Sequence, residues 1–156
     1  MAVPGDMPDE LLSNFRQGFA QSVEAFRQGD LDSVVQGLPG DLEWHSTSED
    51  PERAVHRGPE QIKELFERFF AVFDEWRVDL RDVERISERA LLADYVLRGT
   101  SRSAGVPVKL DVYEVWEFDG PRPFRVRQFR TREAALEATA GTHPVAMRRS
   151  GEGQRR

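Results

Sequence analysis

The sequence predicts an α+β fold in which one curved antiparallel sheet wraps over N-terminal helices. Two observations support this prediction: apolar residues recur every three or four positions in the first part of the chain, and alternate singly through most of the remainder. Short turns separate the alternating segments, as expected for hairpins. Helices followed by a run of strands are typical of the α+β class. At 156 residues, we expect one domain with one core.

The composition limits the classes of function. The formal charge is −6 at pH 7, from 28 acidic and 22 basic residues, which disfavours nucleic-acid binding. Cysteine is absent, which excludes disulfides, thiolate catalysis and cysteine-ligated zinc. The three histidines are scattered, so neither a metal nor another cofactor is predicted. Without a long apolar run or a secretory signal, we expect a cytoplasmic protein with no membrane partner.

The first third of the chain predicts a pair of helices. Residues 1–8 are rich in proline and glycine and are predicted to be disordered. A helix begins at Asp9 and ends at Gly29, and Asp30 caps a second, shorter helix. The apolar stripe of the first helix has one polar member, Ser22. The other members of the stripe are Leu11, Leu12, Phe15, Phe19, Val23 and Phe26.

A short strand, a loop and an aromatic helix follow. Residues 41–46 alternate, which places Trp44 and Ser46 on one face of a strand. Residues 47–58 are polar and aperiodic, and a loop of this length could close over a cavity as a lid. Pro59 suits the first turn of a helix. The apolar stripe of this helix fits either a packed core or a cavity lined with aromatic rings. The stripe consists of Ile62, Leu65, Phe66, Phe69, Phe70 and Phe73.

Four further segments predict the rest of the sheet. They are residues 76–86, 91–102, 106–119 and 124–130. The first of these segments shifts phase near Val83, which predicts a β-bulge. Thr131 then caps a final helix that ends at Gly141. Residues 142–156 are predicted to form a disordered basic tail.

The functional interpretation depends on one strand, Leu110 to Asp119. Alternation sends Leu110, Val112, Glu114, Trp116 and Phe118 to the same face. Glu114 is the polar member of that face, and burying a lone charge is very costly. It is therefore either paired within the fold or held in a cavity for use. Tyr95 and Gln128 could flank it from the neighbouring strands.

Both interpretations of Glu114 stay open at the level of sequence. In an apolar pocket its pKa would rise, which suits a general acid or a hydrogen-bond donor to a ligand carbonyl. In a structural role it would be satisfied by Arg98, by a helix amide or by a dimer contact. Proton shuttling generally needs a second titratable group, which His45, His56 or Asp94 would have to supply.

Four short motifs occur in order along residues 9–141. They are Gly29-Asp30-Leu31-Asp32, Leu42-Glu43-Trp44, His56-Arg57-Gly58-Pro59-Glu60-Gln61-Ile62 and Arg132-Glu133-Ala134-Ala135-Leu136. Together they resemble the SnoaL-like proteins of the nuclear-transport-factor-2-like superfamily, which are related to polyketide cyclases and ketosteroid isomerases. The resemblance implies a cone-shaped α+β domain with a pocket between helices and sheet, often homodimerised through the outer sheet face. That face would carry Tyr113, Val115, Phe129, Arg125 and Arg127.

The resemblance carries over no complete catalytic set. Relative to the shared Gly-Asp turn, the isomerase base falls on Ser46, its tyrosine on Ser22 and its oxyanion-side acid on Glu114. The Asp-Arg-Asp set of limonene-epoxide hydrolases falls on Tyr95, Ala93 and Gln128. The base and the tyrosine of the first set and all three residues of the second are therefore missing.

The sequence predicts binding of a small hydrophobic molecule bearing a carbonyl or hydroxyl. If there is chemistry, we expect cofactor-independent proton transfer of the isomerase or cyclase type, with Glu114 as acid or base and Tyr95 as orienting group. The alternative is a non-catalytic ligand-binding or dimerising scaffold. The predicted binding residues are Phe19, Ser22, Trp44, Ser46, Phe66, Phe70, Val112, Trp116 and Gln128.

Overall fold

The computed structural model describes residues 10–47 and 54–141. Within these ranges the helices are α1 (Leu11–Arg27), α2 (Leu31–Gln36), α3 (Gly58–Ala71) and α4 (Arg132–Gly141). The strands are β1 (Glu43–His45), β2 (Val55–Arg57), β3 (Phe73–Ser87), β4 (Ala90–Ser101), β5 (Pro107–Asp119) and β6 (Arg122–Phe129). These elements confirm the α+β class. Both predicted tails lie outside the described residues.

The six described strands form one unclosed sheet in the order β2-β1-β6-β5-β4-β3. Strands β3, β4, β5 and β6 each pair antiparallel with the next one in sequence, and β1 pairs antiparallel with β2. However, β1 runs parallel to β6, with Trp44 beside Val126, so the sheet is mixed and not wholly antiparallel as predicted. The parallel pair arises because α3 carries the chain to the far edge, from which successive hairpins return β6 to β1.

The N-terminal helices follow the predicted caps. Gly29 has a φ of 74°, a left-handed conformation that glycine adopts without strain, and it separates α1 from α2. The side chain of Asp30 accepts a hydrogen bond from the Ser33 amide at 3.2 Å and so caps α2. No residue of α1 is fully buried, although its apolar stripe faces the sheet. The helix therefore covers the concave face through partly buried side chains, of which Leu11, Leu12 and Phe15 pack against a core cluster of the sheet.

The C-terminal end of α3 differs from the prediction. Spacing assigned Phe73 to the aromatic helix, but Phe73 is buried as the first residue of β3 and pairs with Ser101. The strand thus begins before the predicted start at residue 76. Pairing with β4 is irregular between Asp74 and Arg77, which hides the alternation at this point.

The segment predicted as a lid loop contains a strand at its end. Val55–Arg57 forms β2 and pairs with β1, with Val55 opposite His45. Three residues are too few to display a clear alternation, which is why the sequence did not indicate this strand. Residues 48–53 of the same segment lie outside the described residues.

The predicted β-bulge in β3 is confirmed. Register shifts between Leu80 and Asp82, so Arg81 has no direct partner in β4. On the outer face of the sheet, Arg81 binds Asp94 at 2.6 Å and Asp111 at 2.9 Å. The bulge therefore places one guanidinium between carboxylates of two neighbouring strands.

The outer face of the sheet is partly covered by α4. Val115 and Ala135 are completely buried in a small cluster with Ala90 and Leu92. The expectation that Val115 would be available to a second subunit is therefore wrong, because the chain's own final helix covers it. Beside this cluster, Glu117 is held in ion pairs by Arg125 and Arg127.

Candidate functional site

A cavity of about 770 Å³ lies between the concave face of the sheet and helices α1 and α3, and it is partly open to solvent. Apolar side chains provide most of its wall. The largest group is aromatic and comes from α1, α3 and the sheet: Phe15, Phe19, Phe26, Phe66, Phe69, Phe70, Trp44, Tyr95, Trp116 and Phe118. Such a wall suits an apolar ligand with a few polar contacts.

All the residues predicted to form the site line this one cavity. They are Phe19, Ser22, Trp44, Ser46, Phe66, Phe70, Tyr95, Val112, Glu114, Trp116 and Gln128. They come from two helices and four strands that are distant in sequence. Their position is thus a property of the fold, whereas their roles in binding or catalysis stay predictions.

Glu114 is the centre of a hydrogen-bond network. Its Oε2 accepts hydrogen bonds from the Tyr95 hydroxyl at 2.6 Å and from Gln128 Nε2 at 2.8 Å. Its Oε1 accepts one from Trp116 Nε1 at 2.9 Å. Gln128 Nε2 also lies 3.4 Å from the Tyr95 hydroxyl. The carboxyl group is therefore bound by three uncharged donors.

Strand register explains why these side chains meet. Glu114 of β5 lies directly opposite Ala93 of β4 on one side and Gln128 of β6 on the other. Tyr95 is two positions from Ala93 and shares its face, so its ring reaches diagonally towards Glu114. The small side chain of Ala93 leaves space beside the carboxyl group.

The structural partners that the sequence suggested for Glu114 are not the ones observed. Arg98 instead lies 3.5 Å from Asp79. The contact is on the exposed side of the sheet, because residues 95 and 98 have opposite parity on β4. Glu114 is only 3% exposed. It is thus both satisfied within the fold and in contact with the cavity.

Burial shapes the acid–base properties of this network. Burial raises the pKa of Glu114 above its ordinary value, and the hydrogen bonds from Tyr95, Gln128 and Trp116 oppose that rise without cancelling it. Burial, reinforced by the nearby Glu114 charge, raises the pKa of the Tyr95 phenol well above its ordinary value. Tyr95 therefore remains a hydrogen-bond donor at neutral pH.

Aromatic contacts hold the donors of the network in place. The Trp116 ring has edge contacts with Phe15 and Trp44, at centroid distances of 5.0 and 5.7 Å. The Tyr95 ring lies 5.3 Å from Phe19. Two rings of α1 thus pack directly on two of the three groups that bind Glu114.

None of the three predicted proton partners lines the cavity. His45 binds Glu43 at 3.0 Å, and Asp94 binds Arg81 on the outer face. His56 is 8% exposed and lies opposite Trp44 in the sheet, so it faces inward but lies away from the cavity wall. Within the described residues, Glu114 therefore has no second carboxyl or imidazole beside it in the cavity.

The sequence interpretation missed several polar residues of the wall. Arg130 lines the cavity just after β6, and alternation from Gln128 would have indicated it. Asn14 and Gln21 of α1 also line it; Asn14 lies two turns before Ser22, and Gln21 lies two turns after Asn14, so helical spacing would have suggested both. Because they are mostly exposed, these residues place polar groups near the solvent side of the cavity.

Within residues 10–47 and 54–141, no three histidine, aspartate or glutamate side chains come together as metal ligands. Nor is any helix there sufficiently long and apolar to span a membrane.

The fold is similar to several solved structures. TerC, co-crystallised with polyporic acid, has a TM-score of 0.60 and 19% identity, over 78% of this chain and 94% of TerC. A ketosteroid isomerase-like fold from Catenulispora acidiphila, in complex with trimethylamine, has a TM-score of 0.61 and 14% identity, over 79% and 92%. A proposed polyketide cyclase from Xanthomonas campestris has a TM-score of 0.58 and 17% identity, over 81% and 97%.

At these identities the likeness shows the fold alone. No curated protein gives a significant match to the sequence. The model of the SnoaL-like domain, however, matches residues 19–126, which is more than half of the chain. The match includes the second half of α1, all of α3 and the strands that carry Tyr95 and Glu114. The chain therefore belongs to the SnoaL-like domain family.

Proposed function

We propose that this protein binds a small hydrophobic molecule in the cavity and that Glu114 holds its polar group. The observation that carries the proposal is the placement of one buried carboxyl group in a wall that is otherwise largely aromatic. A cavity of about 770 Å³ is within the range typical of small-molecule sites. Tyr95 and Gln128 would orient Glu114 towards the ligand.

Similar folds give this proposal limited support. TerC was crystallised with polyporic acid and the Catenulispora acidiphila protein with trimethylamine, so folds of this kind accommodate small organic molecules. Which molecule binds this chain is a separate question, since one fold hosts many functions.

Cofactor-independent proton transfer of the isomerase or cyclase type is the second candidate. The raised pKa of Glu114 favours it, because a carboxyl group with an elevated pKa exchanges protons near neutral pH more readily. The lack of a second carboxyl or imidazole among the described wall residues favours simple binding instead. We therefore place binding first.

The proposal includes a cytoplasmic homodimer. The absence of cysteine suits a reducing compartment. On the outer face, Tyr113 and Phe129 stay half-buried beside α4, and Leu136 of α4 is 37% exposed. Apolar surface of this kind is what a second copy would cover. Sedimentation velocity tests this part of the proposal: a dimer is expected, and a monomer at all concentrations would contradict it.

A thermal-shift screen against polycyclic aromatic, terpenoid and steroid-like compounds tests the binding function. A ligand at a hundredfold excess over its Kd should raise the melting temperature by roughly 5–10 °C. Gly18 provides a blocking variant, because it lines the cavity and a Cβ built there meets no atom within 4 Å. Gly18→Phe adds a ring at the cavity wall, whereas Gly18→Ala is the matched control for helix propensity.

We expect a hit to stabilise the wild type and Gly18→Ala equally, and to stabilise Gly18→Phe much less. Equal shifts in both variants would place the ligand elsewhere. If no compound of these classes stabilises the wild type, the proposed function is wrong for ligands of this chemistry.

A further inference from the structure

We infer that the ligand of this cavity presents a hydrogen-bond donor, a hydroxyl or an ammonium group, to Oε1 of Glu114. This inference rests on the proposed binding function and specifies the chemistry of the ligand's polar group. It departs from the sequence-based expectation, in which a carbonyl was as suitable as a hydroxyl. The difference comes from how the hydrogens of the network are distributed.

Each donor that contacts Glu114 already directs one hydrogen at it. Tyr95 and Trp116 each offer one hydrogen, and both are directed at Glu114. Gln128 Nε2 lies 2.8 Å from Glu114 Oε2 and 3.4 Å from the Tyr95 hydroxyl. Because those two oxygens are only 2.6 Å apart, one amide hydrogen points towards both of them and the other points away from Glu114. While Glu114 is ionised, a ligand carbonyl beside its Oε1 would therefore find no donor unless the hydrogen bond from Trp116 were broken.

The acceptor side of the network is incomplete. A carboxylate has about four acceptor positions, two on each oxygen. Tyr95 and Gln128 occupy both positions on Oε2, whereas Trp116 occupies one on Oε1. One position on Oε1 therefore has no donor among the described residues. Since Glu114 lines the cavity, a ligand is the group that can supply that donor.

Other polar atoms nearby do not offset this preference. The indole nitrogen of Trp44 has no acceptor among the described residues, but it is enclosed by protein and not exposed to the cavity. It would therefore not reach a ligand carbonyl without a change of rotamer. Arg130 lines the cavity but is exposed, so it favours acceptors near the opening and not beside Glu114.

Matched pyrene derivatives test the inference, because they share one apolar body and differ only in the polar group. Hydroxypyrene and aminomethylpyrene offer a hydroxyl and an ammonium donor, methoxypyrene lacks a donor, and pyrenecarboxaldehyde offers a carbonyl acceptor. Fluorescence titration at pH 7 gives Kd for the wild type and for Glu114→Gln. Glu117→Gln is the matched control, because it makes the same change on the same strand but on the face away from the cavity.

We expect at least one donor compound to bind the wild type roughly tenfold more tightly than methoxypyrene and the aldehyde, as for a hydrogen bond to a charged group. The preference should largely disappear in Glu114→Gln and persist in Glu117→Gln. A preference for hydroxypyrene alone would identify a hydroxyl ligand, and one for aminomethylpyrene alone an ammonium ligand.

Two results would overturn the inference in different ways. Equal binding of all four compounds, or tighter binding of the aldehyde, would contradict the donor requirement and leave the proposed binding function standing. If none of the four binds the wild type, both the inference and the proposed function fail for polycyclic aromatic ligands.

Discussion

At the scale of single residues, Glu114 combines two properties that usually exclude each other. It is almost fully buried, yet within the described residues it has no cationic partner, and three uncharged donors surround it instead. Donors without charge stabilise a carboxylate less than an arginine would, so its pKa stays raised. The carboxyl group therefore keeps the capacity to interact with a further group.

The raised pKa of Glu114 predicts a specific pH dependence of stability. The native state retains this proton at pH values where the unfolded chain has lost it, so the free energy of unfolding falls as the pH rises from about 4.5 through the raised pKa. Glu114→Gln removes this titration. We therefore expect the wild-type stability minus that of Glu114→Gln to decrease by up to about 1.4 kcal/mol per pH unit in that window.

Urea denaturation of both proteins measures this difference. The pH should run from 4 to 8, roughly the range over which carboxyl groups with raised pKa values titrate. Below the window the difference should be constant. A difference that stays flat throughout, or that grows in favour of the wild type as the pH rises, would contradict the assignment.

Tyr95→Phe tests the strongest bond of the network. The variant removes the 2.6 Å hydrogen bond to Glu114, so we expect a loss of about 1–3 kcal/mol in the free energy of unfolding. The pKa of Glu114 should also rise further, because this hydrogen bond lowers it. Denaturation and an NMR titration of the glutamate carboxyl measure the two effects. Tyr113→Phe, on the outer face, is the control and should change neither.

Alternation along the strands was sufficient to predict which residues share the concave face. Tyr95, Glu114 and Gln128 were identified in this way, and the register brings them together. The direction of each hydrogen bond was not predictable, because it depends on side-chain rotamers and on which donors remain unused. Arg98 was a different error: alternation from Tyr95 already places it on the outer face of β4, where it lies near Asp79.

At the scale of secondary-structure elements, α1 is the least firmly packed part of the site. None of its residues is fully buried: Leu11, Leu12 and Phe15 pack against a core cluster only partly buried, and Phe19 contacts the ring of Tyr95 in the cavity wall. A helix with only partly buried side chains loses less burial on moving than a fully buried strand does. It is therefore the element whose position should respond most to a ligand.

Hydrogen exchange measures this response. We expect amides of α1 to exchange much faster than those of β4, whose residues Leu91 and Leu97 are almost completely buried. Saturating hydroxypyrene should slow exchange in α1, because the ligand would add apolar contacts between this helix and the sheet. Exchange in β4 should change little. Slower exchange in β4 with no effect on α1 would contradict this description.

Gly58 at the start of α3 predicts a difference between two similar substitutions. Gly29 and Gly58 both have positive φ values, 74° and 81°, but a Cβ on Gly58 would lie 2.9 Å from the Gly40 carbonyl oxygen, whereas one on Gly29 meets nothing within 4 Å. We expect Gly29→Ala to cost about 1 kcal/mol and Gly58→Ala about 1–3 kcal/mol more. Equal losses in chemical denaturation would show that the close approach is unimportant.

Helices and long strands were predictable, whereas short or irregular elements were not. The stripe and caps of α1 and α2 have several residues each, so each pattern could be recognised. In contrast, β2 has only three residues, and the first residues of β3 pair irregularly with β4. Phe73 was misassigned because helical spacing continued by chance into the next strand.

At the scale of the whole molecule, the sheet separates two environments. Its concave face and the helices enclose the cavity, whereas α4 and an ion-pair cluster around Glu117 cover part of its outer face. The parallel contact of β1 with β6 was not predictable from alternation, because strand order depends on where α3 directs the chain. The family resemblance predicted the overall shape, but only the structure revealed the cover over Val115.

Binding of a ligand in the cavity beside Glu114 can be tested directly by an NMR titration of the whole chain with hydroxypyrene. The indole N–H signals of the three tryptophans report on it. Trp116 donates to the same carboxyl oxygen that would receive the ligand, whereas Trp76 is not part of the cavity wall. The indole N–H signal that disappears in Trp76→Phe is that of Trp76. We predict that the Trp116 signal shifts strongly and saturates, while that of Trp76 changes least; an unchanged Trp116 signal at saturation would contradict the claim.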